Sequence, residues 1–266
     1  MRAHIEDMQA LLDQNPNMNS QLRDEIKVNL LKSIALRYHS LTEESKSIIK
    51  SIYDDLGARG DIQHCIQALH VNSMNYFEKN FPNIAEREAA VVQHINNVQA
   101  LLNNSDINKA LKSHIRVNLL KLIDNSYGDL PNDEKLLIIS IIQNLTAEEA
   151  IKFYKEVENI DKISNQFSVI QYMSSDTIKK LMQYTCDNIA NMRFSSIAYI
   201  SNDLTLFARA EDHDGEKSKK LKIILEILQS NITNPKTQIT VQQYQDSMLR
   251  LSYLKKEMRD TVIFRR

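Results

Sequence analysis

Histidine, cysteine and acidic side chains are the residues of this chain that could carry metal or acid–base chemistry. The chain has seven histidines, and no two have the His-x-x-x-His or His-Glu-x-x-His spacing that presents two imidazoles to zinc on one helix face. The acidic segment Asp212–Glu216 has the start of a calcium-binding loop, but Ile223 stands where an EF-hand needs glutamate. We therefore expect no metal and no cofactor.

The residues of the chain also provide little support for nucleophilic or acid–base catalysis. Cys65 and Cys186 are the only cysteines, far apart in the chain, and no Gly-x-Ser-x-Gly segment is present. The acidic pairs at 43–44 and 148–149 lie at expected helix starts, where carboxylates favour the helix dipole. We interpret these pairs as helix-start residues and the cysteines as buried free thiols in a reducing compartment, and we expect no catalysis.

Aromatic residues cluster in one part of the chain and are candidates for partner binding. Eight of the 17 aromatic residues lie between 153 and 207. Because aromatic side chains dominate protein interfaces, we predict partner contacts for four tyrosines of this region. They are Tyr154, Tyr172, Tyr184 and Tyr199. The alternative interpretation is that these rings pack the junction between the preceding part of the chain and the C-terminal part.

The C-terminal part is basic although the whole chain is not. Residues 215–266 hold 11 Lys and Arg and 5 Asp and Glu, a net charge of +6 against −1 for the whole chain. This segment predicts binding to an acidic partner, with anionic lipid or nucleic acid as the alternative. A solvated helix face is the other interpretation. The candidate residues are Lys219, Lys220, Lys222, Lys255, Lys256 and Arg259.

The elements that must position these residues are predicted to be helices. The 266 residues contain only 4 Gly and 4 Pro, where average usage gives roughly 19 and 13. This scarcity disfavours the tight turns of sheets and excludes glycine-rich phosphate-binding loops. Apolar residues recur at helical spacing, for example at 5, 8, 11 and 12 and at 221, 224, 225 and 228. The fold class is therefore predicted to be all-α.

An internal repeat organises the first two thirds of the chain. Residues 4–12 recur at 94–102 with six identities in nine, and residues 26–34 recur at 115–123 with seven in nine. The offset of about 89 predicts a helical-hairpin array with four helices in each unit. We assign unit 1 to residues 1–89, unit 2 to 90–175, and a divergent C-terminal helical unit with a basic end to 176–266. Residues 220–224 echo 135–139, so a third copy is an open possibility.

Helix ends within these units are marked by polar residues and glycines. Thr42 before an acidic pair predicts a helix start, and Pro131 opens the corresponding helix of the second unit. Gly57 and Gly60 predict the end of the helix that Thr42 begins. A single further helix is predicted from Asp61 to Asn80.

The sequence favours a cytoplasmic, non-catalytic module that binds another protein along a groove of stacked helices. Such a module acts as an adaptor, regulator or inhibitor, possible roles including a bacterial effector or an effector regulator. The longest apolar run, 136–142, is interrupted by Ser140 and is far shorter than the roughly 20 residues that span a bilayer. We expect no integral membrane association, no small-molecule ligand and no nucleic acid; export without a cleaved N-terminal signal is the alternative location. An all-helical enzyme with a pocket near residues 153–214 is the rival function.

Overall fold

The computed structural model describes residues 2–58, 62–123, 127–156, 167–210, 216–233 and 249–256. Every regular element within these ranges is a helix, so the all-α prediction is confirmed. The chain divides into two compact units, Met1–Ile123 and Asp124–Arg266. The boundary between them lies inside the predicted second repeat.

The first unit consists of α-helices joined by short turns. Its elements are α1 (Arg2–Gln14), α2 (Ser20–Ile34), a 3₁₀ turn (Ala35–Ser40), α3 (Glu43–Asp55), α4 (Ile62–His70), α5 (Asn75–Asn80), α6 (Ile84–Asn103) and α7 (Lys109–Ile123). Helix α7 packs against α2, α4 and α6, so it lies at the centre of this unit.

Short polar side chains fix where the helices of this unit begin. The Asn19 side chain accepts hydrogen bonds from the backbone N–H groups of Gln21 and Leu22, and α2 starts at the next residue after Asn19. Thr42 accepts one from the Ser45 N–H at 3.3 Å, which confirms the predicted start of α3. A cap of this kind contributes about 1 kcal/mol, because it satisfies an N–H that the helix leaves without a partner.

The helix predicted from Asp61 to Asn80 is in fact two helices, so that prediction is wrong. Helix α4 ends at His70 and α5 begins at Asn75. The residues between them include Asn72 and Ser73, whose short polar side chains favour a turn over a continuing helix. The change of direction places both Val71 and Phe77 in the core, where they are 1% and 0% exposed.

Gly57 ends α3 as predicted, and no other residue type fits its position. Its φ of 74° lies in the left-handed region that favours glycine. A Cβ atom there would lie 1.8 Å from the carbonyl oxygen of Asp106. The Asn108 N–H donates to the Leu56 carbonyl at 2.8 Å, so the end of α3 is joined to the start of α7 by this close approach.

The second unit is helical throughout the ranges described. Its elements are a 3₁₀ turn (Tyr127–Asp129), α8 (Asn132–Gln143), α9 (Ala147–Glu156), α10 (Val169–Tyr172), α11 (Ser175–Asn188), α12 (Phe194–Arg209), α13 (Glu216–Thr233) and a helical segment over 249–256. Helix α8 begins directly after Pro131, as predicted. Helix α11 packs against both α9 and α13 and so joins an earlier helix of this unit to a later one.

The acidic pair at 148–149 has the helix-start role that the sequence predicts. The Thr146 N–H donates to a Glu149 carboxylate oxygen at 2.9 Å, and the Glu149 N–H donates to the Thr146 hydroxyl at 3.3 Å. This reciprocal arrangement is a capping box that starts α9. Glu149 is only 3% exposed.

Candidate functional site

The four candidate tyrosines occupy two kinds of position in the second unit. Tyr154 and Tyr199 are 0% and 3% exposed, and their rings pack against each other at 5.7 Å between centroids. Phe153 completes the cluster, at 5.8 Å from Tyr199. Tyr154 and Tyr199 therefore form part of the core and contact a partner only if that core opens.

A buried hydrogen bond holds Tyr154 in place. Its hydroxyl donates to a carboxylate oxygen of Asp203, which also accepts the Ile170 N–H at 3.4 Å. The Ser168 hydroxyl donates to the Asp203 carbonyl. Asp203 is 3% exposed, so this carboxylate is enclosed in protein. The arrangement joins α9, α10 and α12 around one polar centre.

Tyr172 and Tyr184 retain partly exposed rings. Tyr172 stacks on Phe167 at 5.8 Å, and Phe167 stacks on Tyr127 at 3.8 Å. Burial raises the pKa of the Tyr127 hydroxyl above its usual range. Tyr184 lies with the ammonium of Lys155 5.7 Å from its ring centroid, a cation–π distance. These two tyrosines belong to separate contacts and do not form one aromatic surface.

The basic candidates gather on α13 and on the helical segment that follows it. Lys219 pairs with Glu216 at 2.5 Å, and Lys220 donates to the Gln171 carbonyl at 2.9 Å, which ties α13 to the end of α10. Lys256 is exposed. Arg259 lies outside the described residues, as do residues 212–215 of the acidic segment.

A groove lies between α13 and the segment 249–256. Its volume is about 660 Å³. The residues that line it recur every three or four positions, so they form a single face of α13, and the second wall contributes a lysine. They include Leu221, Lys222, Leu225, Glu226, Gln229 and Lys255. Along α13 this face extends from Ser218 to Ser230, about 18 Å at the rise of an α-helix.

The groove has an apolar floor and charged edges. Leu221 and Leu225 are partly exposed, whereas Ile224 and Leu228, which lie beside them on the same side of α13, are fully buried. Lys222 has a side chain 77% exposed and lies 3.9 Å from Glu226. Lys255 donates a hydrogen bond to the Gln229 side chain. Apolar contact and ionic contact are therefore both available along one surface.

Lys222 and Lys255, two of the predicted basic residues, line this groove, whereas its floor of Leu221 and Leu225 was not predicted from the sequence. The recurrence at 221, 224, 225 and 228 predicted only that these residues share one side of a helix. These four positions span about 100° of the helix surface, the usual width of a stripe that faces a core. The spacing therefore carries no signal that Leu221 and Leu225 remain partly exposed.

The described residues offer little to catalysis by a metal or a thiol. Within the described ranges, no three His, Cys, Asp or Glu side chains come together in a way that could hold a metal ion. Burial raises the pKa of both thiols, Cys65 and Cys186, to about 12, so they stay protonated at neutral pH. No helix in the same ranges has the length and apolar character needed to cross a membrane.

Comparison of the chain with known protein families, curated proteins and solved structures finds no match. The function of the chain is therefore inferred from its own geometry. Among the surfaces described, the groove on α13 is the one that combines an apolar floor with charged edges.

Proposed function

We propose that this chain is a non-catalytic protein-binding module, an adaptor, regulator or inhibitor that binds a segment of a partner protein in the groove on α13. The observation that carries the proposal is the pairing of an apolar floor, Leu221 and Leu225, with lysines 222 and 255 at the edges. An apolar centre with a polar rim is the usual anatomy of a protein interface. An elongated face of about three helical turns suits a peptide segment better than a compact ligand.

The chemistry of the groove indicates what the partner segment contains. Leu221 and Leu225 favour a partner segment whose apolar side chains are spaced to contact both leucines, as on one face of a helix. Lys222 and Lys255 favour acidic residues beside them, while Glu226 disfavours a carboxylate at its own position. The expected segment is therefore amphipathic and acidic on one side only.

The helical-hairpin repeat is part of the same proposal, and the helix bounds support it. Helices α2 and α7 begin at residues 20 and 109, and α3 and α8 begin at 43 and 132, both 89 residues apart. Asn19 and Asn108 occupy equivalent positions, and both accept hydrogen bonds from N–H groups of the helix that follows. Stacked hairpins of this kind supply extended binding surfaces.

A cytoplasmic location belongs to the proposal as well. Both cysteines are buried free thiols. Free thiols are typical of proteins that work where glutathione keeps cysteine reduced, which supports that compartment.

The test is affinity capture with the full chain, followed by measurement of the purified partner's dissociation constant. The groove variant reverses two charges, Lys222→Glu and Lys255→Glu. The matched control reverses two other lysines that are also exposed and paired, Lys50→Glu and Lys180→Glu. We expect the groove variant to weaken binding at least tenfold and the control to change it less than twofold.

Other outcomes contradict specific parts of the proposal. Equal binding by the groove variant means that the partner binds elsewhere on the chain. Capture of nucleic acid or anionic lipid by the full chain but not by a form ending at Asn231, with loss at high salt, favours the alternative of an anion-binding basic end. Absence of any saturable protein partner contradicts the function itself.

A further inference from the structure

Helix α2 presents an exposed face. The equivalent face of α7 is buried in a contact, and this contact indicates what the exposed face of α2 binds. The face, here called the α2 face, consists of Leu22, Ile26, Asn29 and Ser33, which recur at helical spacing. Leu22 is 53% exposed, Asn29 and Ser33 are exposed, and Ile26 is half-buried. Leu36, in the turn that follows, is 74% exposed. Leu22 and Leu36 therefore leave apolar side chains in solvent at this part of the chain, beside the half-buried Ile26.

The equivalent face of α7 is completely covered. It consists of Leu111, Ile115, Asn118 and Leu122, each 89 residues after its counterpart, and three of the four residue types are the same. All four are between 0% and 2% exposed. The same local sequence therefore forms a buried contact in one place and an exposed surface in the other.

What covers α7 at this point is the end of α4. The Asn118 side-chain amide donates to the Leu69 carbonyl at 2.6 Å, one residue before α4 ends at His70. The last four carbonyl groups of a helix have no partner within the helix, so a side-chain donor placed there stabilises the contact. Helices α4 and α7 pack against each other, so this hydrogen bond lies within their contact.

The asparagine in the middle of α7 is explained by its contact with α4. It is a poorer helix former than alanine or leucine, so it weakens α2 and α7 slightly in their own right. At position 118 the bond to the α4 carbonyl offsets that loss. Asn29, in the equivalent position, presents the same amide to solvent.

We propose that the α2 face is a second docking surface, and that it binds the C-terminal end of an amphipathic helix from a partner protein in the way that α7 binds α4. The Asn29 amide donates to the last carbonyl groups of that helix, and its apolar stripe packs on Leu22 and Ile26. A second copy of this chain cannot supply its α4, because Cys65, Ala68 and Leu69 are 0 to 2% exposed in their own unit. The α2 face contains no residue of the α13 groove, so this proposal is tested independently of the proposed function.

One position departs from the template and sets an expectation for strength. Ser33 stands where α7 has Leu122, and its hydroxyl donates to the Leu30 carbonyl. The α2 face thus offers less apolar area than its counterpart on α7. We expect binding that is specific and weaker than the contact within the chain.

The test uses the full chain and a helix of known sequence as the probe. The probe is a peptide of residues 62–71, stapled between positions 63 and 67 to hold it helical, amidated at its C-terminus and labelled for fluorescence anisotropy. We expect saturable binding to the wild-type chain with a dissociation constant below about 1 mM. The same peptide carrying Ala68→Asp is the negative control.

Substitutions in the full chain locate the binding. Leu22→Asp removes an apolar contact, and Asn29→Asp replaces the amide donor by a group of equal size that repels carbonyl oxygens. Both are expected to weaken binding at least tenfold. Ile84→Asp, which changes a residue 68% exposed on α6, is the matched control and is expected to have less than a twofold effect. Circular dichroism checks that each variant keeps its helix content.

Three results overturn the proposal. The wild-type chain does not bind the peptide saturably, or Leu22→Asp and Asn29→Asp bind it as the wild type does. The third is concentration-dependent dimerisation of the wild-type chain in sedimentation velocity that Leu22→Asp abolishes, since the occupant is then a second copy. Loss of partner binding by the α13 groove variant alone affects the proposed function and leaves this surface untouched.

Discussion

Two equivalent asparagines provide a sharp test of how the environment of a residue decides its role. We consider Asn118→Ala in α7 and Asn29→Ala in α2, the same substitution 89 residues apart in helices of 15 residues each. Asn118 is 2% exposed and bonded to the Leu69 carbonyl, whereas Asn29 is exposed. The two substitutions are therefore predicted to change stability in opposite directions.

The magnitudes follow from the contacts. Removal of the Asn118 amide loses a buried hydrogen bond and leaves the α4 carbonyl without that donor, an effect of about 1 to 3 kcal/mol. Alanine is the better helix former by up to about 0.7 kcal/mol, which offsets part of the loss. We expect Asn118→Ala to lower the free energy of unfolding by about 0.3 to 2.3 kcal/mol. Asn29→Ala is expected to raise it by up to about 0.7 kcal/mol.

The assay is urea unfolding followed by far-ultraviolet circular dichroism, at the same pH and temperature for all variants. Both residues lie in the unit Met1–Ile123, so one transition reports both substitutions. The slope of the free energy against urea must stay unchanged for the comparison to measure stability alone. Equal effects of the two substitutions would refute the assignment of Asn118 as the cap of α4, and with it the template for the α2 face.

Three further predictions concern backbone geometry, a buried polar group and pH. Gly57→Ala is expected to destabilise the first unit by about 2 to 4 kcal/mol, because it combines an unfavourable φ with a steric clash. Tyr154→Phe is expected to destabilise the second unit by about 1.5 to 3 kcal/mol, since the buried Asp203 carboxylate loses a hydrogen-bond donor. His94, 3% exposed, has its pKa lowered to about 4 by burial first and by the nearby His64 second, so protonation opposes folding. Its effect is about 0.4 kcal/mol or less above pH 6.5 and grows as the pH falls, reaching about 2 kcal/mol at pH 5. Urea midpoints measured for each variant, and for the wild type from pH 8 to pH 5, check these values.

Each of these has a control that separates its cause from a general effect. Gly128→Ala lies in a 3₁₀ turn, where φ is negative, and is expected to change stability by less than about 0.5 kcal/mol. Tyr253→Phe removes the hydroxyl of a tyrosine 47% exposed and is expected to be neutral. His94→Leu is expected to flatten the dependence of the first unit's stability on pH between 8 and 5. A Gly57→Ala protein as stable as wild type, a neutral Tyr154→Phe, or an unaltered pH dependence in His94→Leu contradicts the corresponding reasoning.

The fold class and many helix ends could be predicted because they depend on local chemistry. Thr42 and Pro131 mark helix starts through hydrogen bonds and backbone angles that involve only a few neighbouring residues. The break after His70 was missed, since it combines weak turn residues with the burial of Val71 and Phe77, which depends on packing. Local signals of moderate strength give way to tertiary contacts.

The candidate surfaces were harder to predict, for a reason that Asn29 and Asn118 make plain. Their local sequences are nearly identical, so only the element packed against each one distinguishes a buried cap from an exposed amide. Tyr154 likewise is of a residue type that is common at interfaces, but it lies in the core. Lys222 and Lys255 were correctly grouped as basic, but that they line one groove required the structure.

The boundary between the two compact units has a consequence for how the chain folds during its synthesis. The first unit ends at Ile123, about 34 residues beyond the end of the first predicted repeat, and α7 at its centre is the last of its helices to be made. Until α7 has left the ribosome, α4 lacks the Asn118 donor and the apolar surface that cover its end. A nascent chain that contains only the first predicted repeat therefore exposes apolar helix faces, and these faces are what a chaperone would bind. Completion of α7, rather than completion of a repeat, is the event that lets the first unit become compact.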